Sequence, residues 1–336
     1  MLNDPETTLM AHCFDEYYRE VPLSQPTRVN WKRFDRMVKN NKLALLVFGS
    51  VLRDTRLSIP DEWRRHFQDR LDHELLEGSK AGPSVEKMKS LVADTPYVLV
   101  KTYRPFPYFT HDLDILVDDP LEIGARITAE GIPWEQFSPG IAEIEEPQWL
   151  HLEFYFELVE GIDCLDRGLI LDSPRPVVWG GVSALAANPT IEVATLIADC
   201  AFRLYELKFG DMVYIYTLAG QTDWDLLTAQ ASKHGWYEAL VRIVGMLNAV
   251  HRNVYASASP IEPFFNAVGN PPRSLPYVQG WVDTFRALKS QGRRNLMKLG
   301  AYVSVRLKQN HSHLHWLYLR LVQEPIGGFV LRHLYR

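Results

Sequence analysis

Asp112-Leu113-Asp114-Ile115-Leu116-Val117 is the stretch on which the reading of this chain turns. Successive side chains of a strand point to opposite faces, so Asp112, Asp114 and Leu116 share one face while Leu113, Ile115 and Val117 share the other. One face then carries two carboxylates and the other is built for a core. Like charges this close repel, and holding them beside a core is costly unless a cation compensates. An Asp pair at i, i+2 therefore suits a site where Mg²⁺ supplies that charge. Asp118-Asp119-Pro120, directly after, reads as a turn.

Outward from this strand, Tyr97-Val98-Leu99-Val100 is a second short apolar run, and Trp149 to Leu158 is a third. Pro120 to Gly131 reads as a helix between the last two, so the order is β, loop, β, α, β. In the third run Leu150, Leu152, Phe154, Phe156 and Leu158 fill one face, and His151, Glu153, Tyr155 and Glu157 line the other. A third carboxylate on a neighbouring strand would complete a metal cluster; Glu153 is the first candidate and Glu157 the second, with a solvated sheet face as the plain alternative. Lys101 closes the first run, and Thr102 and Arg104 follow in a loop with Pro105 and Pro107. Cations there suit phosphate oxygens, Lys as a point charge and Arg as a fork.

The flanks are helical. Trp31, Phe34, Met37 and Val38 recur at helical spacing behind Asn30, a candidate N-cap, and the pattern runs on to Leu52. Asp61 to Arg70 starts another helix, and Lys80 to Ser84 punctuates before one beginning near Val85. Beyond Pro189, Ile191 to Phe209, Met212 to Leu218, Trp224 to His234 and Tyr237 to Val250 are helical again. The division is a helical region at 1–95, an α/β core at 96–180, a helical domain at 181–258 and a basic region at 259–336, an α+β fold overall.

This order of elements resembles the polymerase-beta-like nucleotidyltransferase superfamily, within it proteins that place a helical segment before the catalytic core. The matching pieces are Tyr97 to Lys101, Arg104, Asp112 to Val117 and the helices from Ile191 to Val250. The resemblance implies a small mixed-sheet core that moves a nucleoside monophosphate, AMP from ATP, onto a hydroxyl with loss of pyrophosphate. It implies two Mg²⁺ ions on Asp112, Asp114 and Glu153, and a nucleotide held by Lys101, Thr102 and Arg104. The superfamily's Gly-Ser or Gly-Gly step falls at Lys101-Thr102, where there is no glycine, and this motivates a competing expectation of a degenerate fold that serves as a nucleotide- or RNA-binding adaptor. Phe48-Gly49-Ser50-Val51-Leu52-Arg53 imitates the missing step, but no Asp-x-Asp follows at the required spacing and the segment reads as helix.

The 336 residues, 46% hydrophobic and 23% charged, suit a globular chain with two or three cores. Cys13, Cys164 and Cys200 follow no paired spacing, which fits a reducing cytoplasm better than a disulfide framework. No stretch approaches the roughly 18 apolar residues of a membrane span. The net charge of -5 hides a basic end, Arg286 to Arg336, where ten Lys or Arg stand against the single acid Glu324. That end suits an anionic partner, or covers the acidic body of its own chain. His311, His313 and His315 within it read as solvated or phosphate-contacting, not as a metal site.

Overall fold

A computed structural model of the chain describes residues 5–19, 29–138, 141–155, 164–172, 174–203, 208–255 and 257–265. Five helices come first: α1 (Pro5–Arg19), α2 (Trp31–Asn40), α3 (Ala44–Arg53), α4 (Asp61–Gly78) and α5 (Ala81–Val92). The Asn30 side chain accepts the Arg33 N–H and caps α2, as its position ahead of the apolar stripe predicts. Seven of the ten residues of α3 are buried, which a short helix apolar on nearly every side requires. The Phe48-Gly49-Ser50 segment lies inside that helix. Phe48 stacks on Phe67 of α4 at 4.5 Å, with Phe34 edge-on to Phe67 at 6.1 Å, so aromatic packing joins α2, α3 and α4.

Helix α5 starts at Ala81, four residues before the expected Val85. Pro83 lies in its first turn, which tolerates proline because the N–H groups there have no helical partner. Gly82 has a packing role: a Cβ there would come within 2.4 Å of the Gly180 carbonyl oxygen.

The sheet contains β1 (Tyr97–Leu99), β2 (Asp112–Val117), β3 (Glu135–Ser138), β4 (Ile141–Ile144), β5 (His151–Tyr155), β6 (Arg175–Trp179) and β7 (Val182–Ala186). Its order is β3-β4-β5-β2-β1-β7-β6. The pairs β2/β5 and β1/β7 are parallel and the others antiparallel, a mixed sheet. Helix α6 (Pro120–Ala129) links β2 to β3, and α7 (Arg167–Leu171) precedes β6. The β-loop-β-α-β order holds, and two hairpins extend it. The β6–β7 hairpin turns on Gly180 and Gly181, both at positive φ (57° and 80°), as a two-residue hairpin turn demands. It carries the sheet past residue 180, to Ala186.

Helices α8 (Pro189–Arg203), α9 (Phe209–Leu218), α10 (Trp224–Lys233) and α11 (Tyr237–Tyr255) follow, with a 3₁₀ turn at Ala219–Gln221. They do not form a core of their own. Leu9, Phe14, Phe34 and Phe48 from the first helices share one apolar cluster with Ile197, Phe202, Tyr214, Trp236 and Leu247 from the last. The first and third regions of the sequence therefore pack as one body, on the sheet face that carries Val98, Val100, Leu116 and Tyr155. The opposite face, with Leu99, Leu113, Ile115, Val117, Leu152 and Phe154, is closed by Val85, Met88 and Leu91 of α5 and Ile123 and Ile127 of α6. The three cysteines are buried. Among the described residues no helix is long and apolar enough to cross a membrane. The basic segment and its histidines lie outside the described residues.

Candidate functional site

Strands β2 and β5 run parallel with Asp112 opposite His151 and Asp114 opposite Glu153. The alternation of each strand puts all four on one face, while Leu113, Ile115, Leu152 and Phe154 face the α5–α6 layer. Glu143 of β4 stands opposite Glu153 and joins them. This patch of four carboxylates and one imidazole begins where the apolar part of the same face, Leu116 and Tyr155, ends.

Asp112, His151 and Glu153 each offer a ligand atom within 4.8 Å of the others. His151 Nδ1 lies 3.2 Å from Glu153 Oε1 and 3.9 Å from Asp112 Oδ1, and Nε2 lies 3.5 Å from Glu143 Oε2. Hydrogen bonds to Glu143 and Glu153 push His151 up to about 10, against its partial burial. Burial, with the Asp114 and Asp112 charges, raises Glu153 above the usual carboxyl range in spite of His151. Asp114 faces a different partner: Lys101 Nζ lies 3.5 Å from its Oδ1, 4.0 Å from Asp199 Oδ1 and 5.6 Å from the Tyr155 ring centroid. Of the three expected ligands, Asp112 and Glu153 converge within ligand distance of each other together with His151, which stands on the acidic side of its strand and carries no role in the sequence reading; Asp114 shares their face but lies outside that group. Glu157, the second candidate for third ligand, lies outside the described residues.

The cations divide. Lys101 points into the patch, and its backbone is left-handed (φ 57°), a conformation costing of order 1–3 kcal/mol for a residue with a Cβ. Its N–H donates to Glu192 Oε2 at 3.1 Å. Thr102 is committed elsewhere: its buried hydroxyl donates to the Val100 carbonyl at 3.1 Å and accepts the Asp114 N–H at 3.1 Å, extending the β1–β2 ladder by a side chain. Arg104, expected to fork onto phosphate, is 2% exposed at its side chain and donates to Asp211 Oδ1 at 2.9 Å and to the Tyr103 carbonyl at 3.2 Å. Its guanidinium lies 4.3 Å from the Tyr214 ring centroid and 5.2 Å from that of Tyr108. Burial disfavours its charge, but Asp211 and its other neighbours outweigh that and keep it cationic. This placement makes Arg104 a strut between the β1–β2 loop and α9.

Behind Lys101, Glu192 of α8 is fully buried, and burial pushes its carboxyl up to about 7, against the pull of Arg104, the Lys101 N–H and Arg175. Its Oε1 accepts no hydrogen bond from any described residue.

A further cation arrives from the helical N-terminal region. Lys42 Nζ donates to Asp112 Oδ2 at 3.2 Å. Burial works to lower the Lys42 pKa, but the charge of Asp112, aided by Tyr108 and Asp114, raises it overall. Nothing in the local sequence announces Lys42 beyond its place just after a helix, where glycine is the common residue. Asp112, Asp114, Glu143 and Glu153, with Asp199 beside Lys101, thus meet Lys42, Lys101 and His151 in one patch, where carboxylates outnumber cations. Comparison with protein-family models, with curated proteins and with solved structures returns no match for this chain.

Proposed function

We propose that this chain is a divalent-metal-dependent nucleotidyltransferase, moving a nucleoside monophosphate, AMP from ATP, to a hydroxyl acceptor. The observation that carries the reading is the register of β2 and β5, which gathers Asp112, Asp114 and Glu153 on one face beside His151. The donor set fits the metal: oxygen ligands from three carboxylates suit Mg²⁺ or Mn²⁺, and the nearby imidazole is a nitrogen donor that Mn²⁺ accepts more readily. Asp112, Asp114 and Glu153 would hold two ions, with His151 beside them, and the ions would supply Lewis-acid stabilisation of phosphate charge.

In the reaction the acceptor oxygen forms a bond to the α-phosphorus, the α–β bridging P–O bond breaks, and pyrophosphate leaves. Glu153, the third carboxylate of the patch, takes the acceptor's proton. Lys101 fixes the orientation of the polyphosphate as a point charge, and its attachment to Glu192 holds the loop that carries it. The basic stretch Arg286 to Arg336 offers an anionic acceptor such as RNA a first electrostatic contact.

One observation favours the adaptor reading: Thr102 and Arg104, two of three expected phosphate contacts, are committed to the protein itself. Incubation of the full chain with α-labelled NTPs, Mn²⁺ or Mg²⁺ and cell extract separates the two. Label transfer with pyrophosphate release that is lost in Asp114→Asn supports the enzyme; metal-dependent ATP binding without release supports the adaptor.

A further inference from the structure

The junction between α2 and α3 is a Schellman turn. The Leu43 N–H donates to the Val38 carbonyl at 3.1 Å and the Lys42 N–H to the Lys39 carbonyl at 3.0 Å. The turn forces its C′ residue into the left-handed region, where glycine has no penalty and a residue with a Cβ does. That residue is Lys42, at φ 54°. Three non-glycine residues among those described have positive φ, namely Lys42, Ala93 and Lys101. Two of them are the lysines whose Nζ atoms meet the two aspartates of β2, Lys42 at Asp112 and Lys101 at Asp114. Strain of this kind persists where surrounding structure holds it in place. Here the holding is visible: the Asn41 side chain next door accepts the Phe209 N–H at 2.6 Å and donates to the Met37 carbonyl at 2.8 Å, tying the turn to α9.

We infer that Lys42 is the second arm of a two-lysine polyphosphate clamp, the N-terminal helical region's own contribution to the site. The inference rests on the nucleotidyltransferase reading for its ligand, a triphosphate or pyrophosphate. Asp112 and Asp114 are two residues apart on one strand, ~7 Å along it, so Lys42 and Lys101 approach the patch side by side. A divalent ion bound by the aspartates competes with both lysines for the same oxygens. The ammonium groups so displaced remain anchored by their stems at the rim of the patch, where phosphate oxygens are the natural acceptors. Thr102 and Arg104 are turned to the protein, and Lys42 supplies positive charge in the position that they do not fill.

The test uses the full chain, Mn²⁺ and inorganic tripolyphosphate, with binding of each followed by calorimetry in wild type, Lys42→Met, Lys42→Gly and Lys42→Arg. The clamp predicts that Met and Gly weaken tripolyphosphate binding by about tenfold, that Arg restores most of it, and that Mn²⁺ binds equally well or tighter once Asp112 loses its ion pair. Lys42→Gly relieves the strained φ, so its thermal midpoint guards against reading a folding defect as a binding defect. Tripolyphosphate affinity unchanged in both Met and Gly overturns the clamp and leaves Lys42 a counter-ion for Asp112. Should wild type bind tripolyphosphate through Lys42 but take up no Mn²⁺, the clamp stands and the metal-dependent reading falls. Should it bind Mn²⁺ but no tripolyphosphate, the clamp falls alone.

Discussion

Strands β2 and β5 present two faces made from the same ten or so residues, and the faces obey different rules. Toward α5 and α6, Leu113, Ile115, Leu152 and Phe154 are fully buried among aliphatic and aromatic neighbours. Toward the long helices, Leu116 and Tyr155 are buried too, but Asp112, Asp114, His151 and Glu153 are only half-buried and meet charges. The first face gains stability from area removed from water. The second keeps like charges within a few ångströms of each other, which lowers stability unless cations answer them. A patch retained against that cost, on a strand otherwise made for a core, is where function is expected.

The contrast is testable, beginning with the largest effect. Phe154→Ala removes a fully buried ring and should cost ~3–5 kcal/mol of stability, whereas Glu153→Gln at the neighbouring position should change stability by less than about 1 kcal/mol while abolishing transfer. Urea unfolding of the two variants measures this, and equal losses would break the distinction between the faces. Arg104→Met should behave like a core substitution, costing ~3–5 kcal/mol because it leaves Asp211 without its buried partner. A variant that stays as stable as wild type yet loses nucleotide affinity would return Arg104 to the phosphate site.

A smaller, pH-dependent effect is expected at Glu192. Its folded pKa of about 7 exceeds the ordinary 4.5, so between these values the folded state binds more protons than the unfolded state, and stability must fall as pH rises through that window. Glu192→Gln cannot titrate. Its thermal midpoint relative to wild type should therefore rise from pH 4.5 to 7 and level off above, and a difference that does not vary with pH would show that the carboxyl is ionised throughout.

The smallest effect on stability belongs to Asp112→Asn and Asp114→Asn. The amide keeps shape and loses charge, so each variant should unfold within about 1 kcal/mol of wild type and fail to bind nucleotide with metal. Either variant retaining full transfer would remove the paired aspartates from the mechanism.

The acidic face was legible because alternation along a strand is a property of adjacent residues: whichever strand lies beside β2, Asp112 and Asp114 must share a side. The same rule gave the split of β5, and other local rules gave the long helices, from their 3.6-residue period, and the Asn30 cap. The two hairpins were harder to read. Gly180-Gly181 between two β-rich runs is a hairpin signal that the reading passed over, while β3 and β4 are four residues each, too short for periodicity to speak. What no local pattern contains is which distant segments meet. Lys42 reaches Asp112 across 70 positions, Glu192 reaches Lys101 across 91 and Asp211 reaches Arg104 across 107. An arginine in a polar loop and a lysine after a helix look like surface charges in sequence. Only the packing of the first and last helices into one body against the sheet turned the arginine inward as a strut and brought the lysine to the acids, because burial and ion pairing are settled by the whole core and not by the residues on either side.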